Sequence, residues 1–192
     1  MLKKCAMLAA LVLVLSPATA RADWLFTPHI GGVFGGNATG NEFTYGANIG
    51  WMGAGVFGWD AEFAFTPEFF EGGDDDFDLF DRSNVTTFMV NAIMGAPVGG
   101  TTGGGFRPYF SAGVGLLQQN VTGAESLFEV NNSEFGFNLG GGAMGFMTDH
   151  VGFRGDVRYY RALADPEEDN EFDIDFGDFD FWRATAGVTF RW

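Results

Sequence analysis

The sequence predicts an all-β fold, namely an eight-stranded antiparallel up-and-down transmembrane β-barrel. Three observations support this prediction. The chain begins with a short apolar segment typical of an export signal, and no later stretch is long and apolar enough for a transmembrane helix. Eight segments then alternate with period two, each with one large apolar face. With 30 glycines and 17% aromatic residues, the composition favours strands joined by tight turns, because glycine weakens helices.

Residues 1–22 are predicted to form a cleaved signal peptide. Two lysines precede an apolar run over 6–15, which is too short to span a bilayer as a helix. Small residues make cleavage suitable after either Ala20 or Ala22. Residues 23–192 would then form a single outer-membrane barrel domain.

Each predicted strand is close to the roughly 9–11 residues that a tilted strand needs to cross a bilayer. The segments are 24–35, 42–52, 56–66, 85–95, 107–119, 134–147, 151–163 and 181–192. The apolar face of the first four carries, in order, Trp24, Phe26, Ile30 and Phe34; Phe43, Tyr45, Ala47, Ile49 and Trp51; Phe57, Trp59, Ala61, Phe63 and Phe65; and Thr86, Phe88, Val90, Ala92 and Met94. The last four carry Pro108, Phe110, Ala112, Val114 and Leu116; Phe135, Phe137, Leu139, Ala143 and Met147; Val151, Phe153, Val157 and Tyr159; and Trp182, Ala184, Ala186, Val188, Phe190 and Trp192.

The predicted connections alternate in length. Tight turns follow the second and sixth strands, and the glycine-rich stretch 97–105 follows the fourth. The other four connections are 36–41, 68–81, 122–133 and 165–180. Counted from a periplasmic N-terminus, these four lie outside the cell, as expected for barrels with short periplasmic turns and longer extracellular loops.

The second face of the strands indicates which side looks inward. It is rich in glycine and small polar residues, such as Gly113, Asn138 and Gly140. A face in contact with water gains nothing from glycine, which weakens strands, whereas a narrow barrel interior requires small side chains. We therefore predict that the aromatic face contacts lipid. A soluble lipocalin-like barrel would have the reverse orientation.

Charged residues within the strands follow the same division. The small-residue face carries Asp60, Glu62, Arg154, Asp156, Arg158 and Arg183. Because a buried unpaired charge costs far more than a paired one, we expect these three acids and three arginines to neutralise one another in a lumen charge network. The lipid face carries only Arg161 and Asp180, both near outer strand ends, where a charge is less costly than at the bilayer midplane.

Three stretches carry a family resemblance: 107–115 (Arg-Pro-Tyr-Phe-Ser-Ala-Gly-Val-Gly), 152–160 (Gly-Phe-Arg-Gly-Asp-Val-Arg-Tyr-Tyr) and the aromatic end 188–192. In these the chain resembles the small outer-membrane β-barrel family, which includes the membrane domain of outer membrane protein A and the opacity-type barrels. The resemblance implies a location in the outer membrane of a Gram-negative-type bacterium. It also implies contact with membrane lipids and with the secretion and barrel-assembly machinery, which would read Val188, Phe190 and Trp192 as an assembly signal.

The net charge of −15 is concentrated in two connections. Seven acids lie in 68–81 and nine in 165–180, and such a surface repels nucleic acid. These two acidic connections have two interpretations. They are either solvated loops or a weak Ca²⁺ or Mg²⁺ site, although neither connection has the spacing of a calcium-binding loop. The candidate metal ligands are Asp74, Asp75, Asp76, Asp173, Asp175 and Asp178. Interleaved phenylalanines, Phe69 among them, are predicted to extend the barrel above the membrane or to form a ligand surface.

No catalytic residue and no cofactor beyond such a metal ion are predicted. Of the two histidines, His29 faces inward with no serine neighbour in the sequence and His150 lies in a periplasmic turn, so an enzyme is not expected. We expect a monomeric, non-enzymatic barrel with a structural and surface-interaction role, exposing acidic loops. The alternatives are a narrow porin-like channel for small solutes, gated by the lumen charges, and a surface adhesin.

Overall fold

The computed structural model is a closed barrel of eight strands, each paired antiparallel with its neighbours. The structure describes residues 22–38, 40–53, 55–67, 69, 82–99, 104–122, 130–163 and 176–192. The strands are β1 (Ala22–Phe34), β2 (Glu42–Gly53), β3 (Phe57–Pro67), β4 (Arg82–Gly95), β5 (Gly105–Thr122), β6 (Val130–Phe146), β7 (Val151–Leu163) and β8 (Phe176–Arg191). The predicted fold class is confirmed. Within the described residues, no helix has the length and apolarity to cross a membrane.

The alternation of burial follows the sequence pattern and has the predicted orientation. In β3, the rings of Phe57, Trp59 and Phe63 are exposed on the outer wall, while Asp60 and Glu62 are buried inside. Large apolar side chains are exposed on the outer wall along every strand, so this wall requires an apolar solvent.

Several strands extend past their predicted ends. Strand β5 continues to Thr122 and β6 begins at Val130, so five residues of the predicted 122–133 connection, namely 122 and 130–133, belong to strands. Strand β8 likewise begins at Phe176, inside the predicted acidic connection 165–180. Ladder hydrogen bonds need only the backbone, so pairing continues where the apolar alternation stops. The sequence pattern marks the lipid-facing part of each strand better than its full length.

Side chains fill the lumen in three layers. An inner cluster lies toward the short turns and contains Leu25, Met52, Ile93, Tyr109, Met144 and Phe146. An outer cluster lies toward the long connections and contains Val33, Phe69, Val85, Met89, Leu117, Tyr160, Ala162, Phe179 and Phe181. Charged and amide side chains lie between them. On β4, for example, Asn91 lies between Ile93 of the inner cluster and Met89 of the outer cluster.

Glycines on neighbouring strands make room for the middle layer. Gly140 and Gly142 of β6 lie opposite Arg158 and Asp156 of β7. A Cβ atom on Gly140 would lie 2.8 Å from Cγ of Arg158, and one on Gly142 would lie 2.5 Å from Cβ of Asp156. Both distances are far below van der Waals contact, so these two positions require glycine.

Candidate functional site: the charged layer of the lumen

The charged layer consists of the six residues that the sequence predicted to face inward, and the structure brings all six together. They are Asp60 and Glu62 of β3, Arg154, Asp156 and Arg158 of β7, and Arg183 of β8. None is more than 7% exposed. Three carboxylates face three guanidinium groups, so the layer is formally neutral.

Glu62 is the centre of the outer half of this layer. Arg158 donates from Nη1 to Oε2 of Glu62 at 2.7 Å, and Arg183 pairs with Oε1. The hydroxyl of Tyr160 donates to the same Oε1 at 2.7 Å, and the amide of Asn48 donates to Oε2 at 3.2 Å. Hydrogen bonds to an ionised group are roughly twice as strong as neutral ones, so Glu62 is held from four sides.

Asp60 and Asp156 organise the inner half. Arg154 bridges them, since its Nη2 donates to Asp60 at 2.8 Å and its Nε donates to Asp156 at 3.1 Å. The hydroxyl of Tyr109 donates to Asp156 at 2.7 Å. Nε of Arg158 lies 3.1 Å from Oδ1 of Asp156, so this arginine joins the two halves into one network.

Amides extend the network toward β6. The period-two pattern predicts that Asn138 faces inward but predicts no hydrogen-bond partner for it. Asn138 donates to Asn91 at 2.7 Å, and Asn91 donates to Asp60 at 2.6 Å. Tyr109 and Tyr160, which also belong to the network, were not predicted as lumen residues. All four residues occupy inward positions of their strands, so the period-two pattern places them in the lumen. Their partners, however, lie across the barrel and have no signal in the sequence.

Two further arginines close the inner end beside the inner cluster. Arg107 and Arg191 lie 4.0 and 3.8 Å from Oδ2 of Asp23. Both guanidinium groups lie over the ring of Phe146, at 5.4 and 4.2 Å from its centroid. Arg191 also donates from Nε to the carbonyl of Asp149 at 2.7 Å, which fastens the β6–β7 turn to β8.

The two histidines lie in different parts of the barrel. His29 is buried in the lumen, where neither ring nitrogen has a hydrogen-bond partner, and His150 lies in the exposed β6–β7 turn. In the part of the chain that the structure describes, no group of three His, Cys, Asp or Glu side chains could hold a metal ion. The predicted metal ligands Asp74, Asp75, Asp76, Asp173 and Asp175 lie outside the described residues, as does the side chain of Asp178.

The predicted assembly signal lies at the seam that closes the barrel. Phe190 and Trp192 are exposed on the outer wall, and Val188 is half-buried beside them. The backbone of Trp192 pairs with Trp24 in both directions, with N–O distances of 3.0 and 3.2 Å. The aromatic end is therefore part of the β8–β1 ladder, and its recognition by assembly machinery stays a prediction.

A family model described as "Outer membrane protein beta-barrel domain" matches residues 6–191. The chain belongs to this family. The match covers all eight strands and all six residues of the charged layer. It agrees with the resemblance carried by residues 107–115, 152–160 and 188–192. The protein is thus an outer-membrane β-barrel protein.

Solved structures of three outer-membrane barrels have the same fold. Neisserial surface protein A (NspA) is 12% identical, with a TM-score of 0.63 over 90% of this chain and 99% of that chain. The N-terminal β-barrel domain of Pseudomonas aeruginosa OprF is 20% identical, with a TM-score of 0.55 over 90% and 98%. Ail, the attachment invasion locus protein of Yersinia pestis, in complex with the heparin analogue sucrose octasulfate, is 12% identical, with a TM-score of 0.53 over 89% and 98%. No curated protein sequence matches this outer-membrane barrel significantly.

Proposed function

We propose that this outer-membrane barrel is a non-enzymatic, non-conducting protein that stabilises the envelope and presents two acidic loops to the surroundings. One observation carries the proposal: the charged layer lies between two apolar clusters. An ion that entered from either end would have to cross a packed apolar cluster before it reached the charged layer.

The packing of each cluster supports a closed lumen. Met52 and Met144 of the inner cluster and Met89 and Leu117 of the outer cluster have no solvent-exposed surface. Eight strands enclose an interior that side chains can fill, and here they do so at both ends. The arginines and carboxylates of the middle layer hydrogen-bond to one another, which leaves few of their polar atoms for a passing solute.

The charged layer also supports a stabilising role. Its contacts run across the lumen from β3 to β7 and β8, strands that are not neighbours in the barrel. Such contacts hold opposite walls together, whereas ladder hydrogen bonds join only adjacent strands. Exposed apolar side chains around the wall supply the proposed contact with membrane lipids, and we propose that the barrel is a monomer.

The decisive experiment is single-channel recording on the refolded full chain in planar bilayers. We expect no stable openings. Stable openings whose conductance changes in an Arg158→Ala variant would overturn the proposal and favour a narrow channel gated by the lumen charges.

A surface adhesin is the second candidate, and the barrel topology favours it. The β3–β4 and β7–β8 connections, which carry the acids of 68–81 and 165–180 in the sequence, start from the same end of the barrel. Ail was crystallised with a sulfated heparin analogue, whereas the sixteen carboxylates of 68–81 and 165–180 would attract a cationic partner and repel a sulfated one. We expect adhesion to a cationic surface to fall when Asp74, Asp75 and Asp76 are replaced by asparagine. Unchanged adhesion would remove this role.

A further inference from the structure

The outer wall carries a groove over the seam where β8 closes on β1. The volume of this seam groove is about 430 Å³, within the roughly 300–1,000 Å³ that is usual for ligand sites. Among the residues that line it are Pro28 and Ile30 of β1, Phe153 of β7, and Ala186, Gly187 and Val188 of β8. The side chains of Ile30 and Phe153 stand on either side of β8 and are more than half exposed, so the groove opens toward lipid.

Small residues of β7 and β8 form the floor of the seam groove. Ala186 pairs with Ile30 on one side and with Gly155 on the other. A Cβ atom on Gly187 would lie 2.3 Å from the carbonyl oxygen of Pro28, so the close approach of β8 to β1 requires glycine there. Gly155 differs, because an added Cβ atom would meet only one atom within 4 Å, at 3.7 Å. The packing of the barrel does not need glycine at Gly155, and the missing side chain keeps the groove open.

The ladder between the described strands β1 and β8 is interrupted beneath this groove. Its pairs run through Phe26 and resume at His29, whereas Thr27 and Pro28 have no ladder partner in β8. Proline has no N–H group to donate, so a ladder bond is missing at this position. Backbone groups without a ladder partner are costly at the depth of the hydrocarbon. The wall of the barrel is therefore weakened at the place where the chain closes on itself.

A second groove of similar size provides a comparison within the same wall. It has a volume of about 450 Å³ and lies over β4, β5 and β6, where Val90, Ala92, Ala112, Val114, Asn138 and Leu139 are among its lining residues. The ladders beneath it are continuous. Asn138 donates to Asn91 in the lumen, whereas His29, which also lines the seam groove, has no hydrogen-bond partner for either ring nitrogen. Of these two grooves, only the seam groove lies over an interrupted ladder.

We propose that the seam groove binds one acyl chain of a phospholipid in a fixed position, and that the bound chain stabilises the closure of β8 on β1. The chain supplies dispersion contacts at the place where the ladder lacks a hydrogen bond. A single flexible chain can lie between Ile30 and Phe153, whereas the convex wall of a second barrel would not reach the floor at Ala186. This inference rests on the proposed contact with membrane lipids and gives that contact a specific site.

The test uses the refolded full chain in detergent with an equimolar amount of a phospholipid that carries a photoactivatable diazirine in one acyl chain. After illumination, the cross-linked residues are identified by mass spectrometry. We expect cross-links to concentrate around Ile30 and Val188 and to be much rarer around Ala112. The melting temperature of the unmodified protein should rise when the phospholipid is added, because a ligand that binds only the folded state stabilises it.

Two blocking variants and one matched control test the position of the chain. Ala186→Phe places a ring in the seam groove and should lose both the cross-links at the seam and the rise in melting temperature. Ala112→Phe places the same ring in the second groove and should keep both. Gly155→Leu also blocks the seam groove, at a position where the added Cβ atom has only an ordinary contact, and it serves as the test if Ala186→Phe does not fold.

Equal cross-linking of the two grooves, or undiminished cross-linking at the seam in the folded blocking variants, would overturn the site. A melting temperature that does not respond to the phospholipid would contradict the stabilising role. The same cross-linking in lipid vesicles keeps the site distinct from the proposed lipid contact. Cross-links spread evenly around the wall in vesicles would count against the site alone, whereas no cross-links anywhere on the wall would count against the lipid contact.

Discussion

Replacing Glu62 by glutamine removes one charge from the middle of the lumen with almost no change in shape. Glu62 accepts hydrogen bonds from Arg158, Tyr160 and Asn48 and pairs with Arg183. In Glu62→Gln the two remaining carboxylates face three guanidinium groups, so the buried layer gains a net charge of +1. The amide also has to turn its NH₂ group toward donors, since a carboxamide has only one acceptor oxygen.

The structure sets the expected magnitude. Breaking a buried ion pair by removing one partner costs about 3–5 kcal/mol, because the remaining charge stays buried without compensation. Glu62 is 3% exposed and its two arginines are each 1% exposed, so solvent screens little of this cost. We expect Glu62→Gln to lower the free energy of unfolding by about 3 kcal/mol or more. The exposed carboxylate of Asp149, 3.7 Å from Arg191, provides the comparison: Asp149→Asn should cost less than about 1 kcal/mol.

The assay is urea unfolding of the refolded barrel in lipid vesicles, followed by the fluorescence of its five tryptophans. A double-mutant cycle with Arg158→Met measures the interaction energy between Glu62 and Arg158, because Arg158→Met removes the charge that Glu62→Gln leaves uncompensated. We expect the double variant to be more stable than the sum of the single effects predicts. A loss below about 1 kcal/mol for Glu62→Gln, or strict additivity in the cycle, would refute the reasoning that the network is tightly coupled.

Three further variants test the packing, the orientation and the metal hypothesis. Gly140→Ala should lower the free energy of unfolding by about 1–3 kcal/mol in the same urea assay, because the added Cβ would lie 2.7 Å from Cα of Arg158. Gly145→Ala on the same strand should be nearly neutral, because nothing lies within 4 Å of the added atom. Val90→Arg on the outer wall should cost about 2–4 kcal/mol in vesicles, and a cost near zero would contradict the lipid-facing orientation. If the acidic loops bind calcium, calcium should raise the melting temperature, and replacing Asp74, Asp75 and Asp76 by asparagine should abolish the rise. If calcium does not raise the melting temperature of the unmodified protein, the metal hypothesis is wrong.

The fold could be predicted because a lipid-facing strand shows its orientation in its own sequence. Trp59 and Phe63 alternate with Asp60 and Glu62, so position along β3 is enough to assign each side chain to a face. The same pattern placed all six charged residues in the lumen. Strand ends were harder to predict, because beyond the lipid the strands continue to pair without an apolar face, as at Gln119 and Asn132.

The contacts within the lumen could not be predicted, because they depend on the diameter and stagger of the closed barrel. Arg158 and Glu62 are 96 positions apart and lie on strands that are not neighbours. Phe69 shows the same limit. The sequence places it among loop aromatics expected above the membrane or on a ligand surface, whereas the structure buries its ring inside the outer end of the lumen. The burial of this ring depends on its contacts with Phe179 and Phe181, which belong to β8 and lie far from Phe69 in the sequence.

The charged layer has a physical advantage that an apolar filling would lack. A strand with apolar side chains on both faces could slip by one residue and exchange its faces at little cost, since lipid and an apolar lumen are similar solvents. With Arg154, Asp156 and Arg158 on one face of β7, the same slip would put three charges into lipid, at about 2–4 kcal/mol for each arginine near the midplane. A buried ion pair often adds little net stability over apolar packing. The main effect of this network is therefore to fix the register and orientation of each strand. Once the barrel has formed, ion pairs with Asp60 and Glu62 across the lumen offset the cost of burying the arginines of β7.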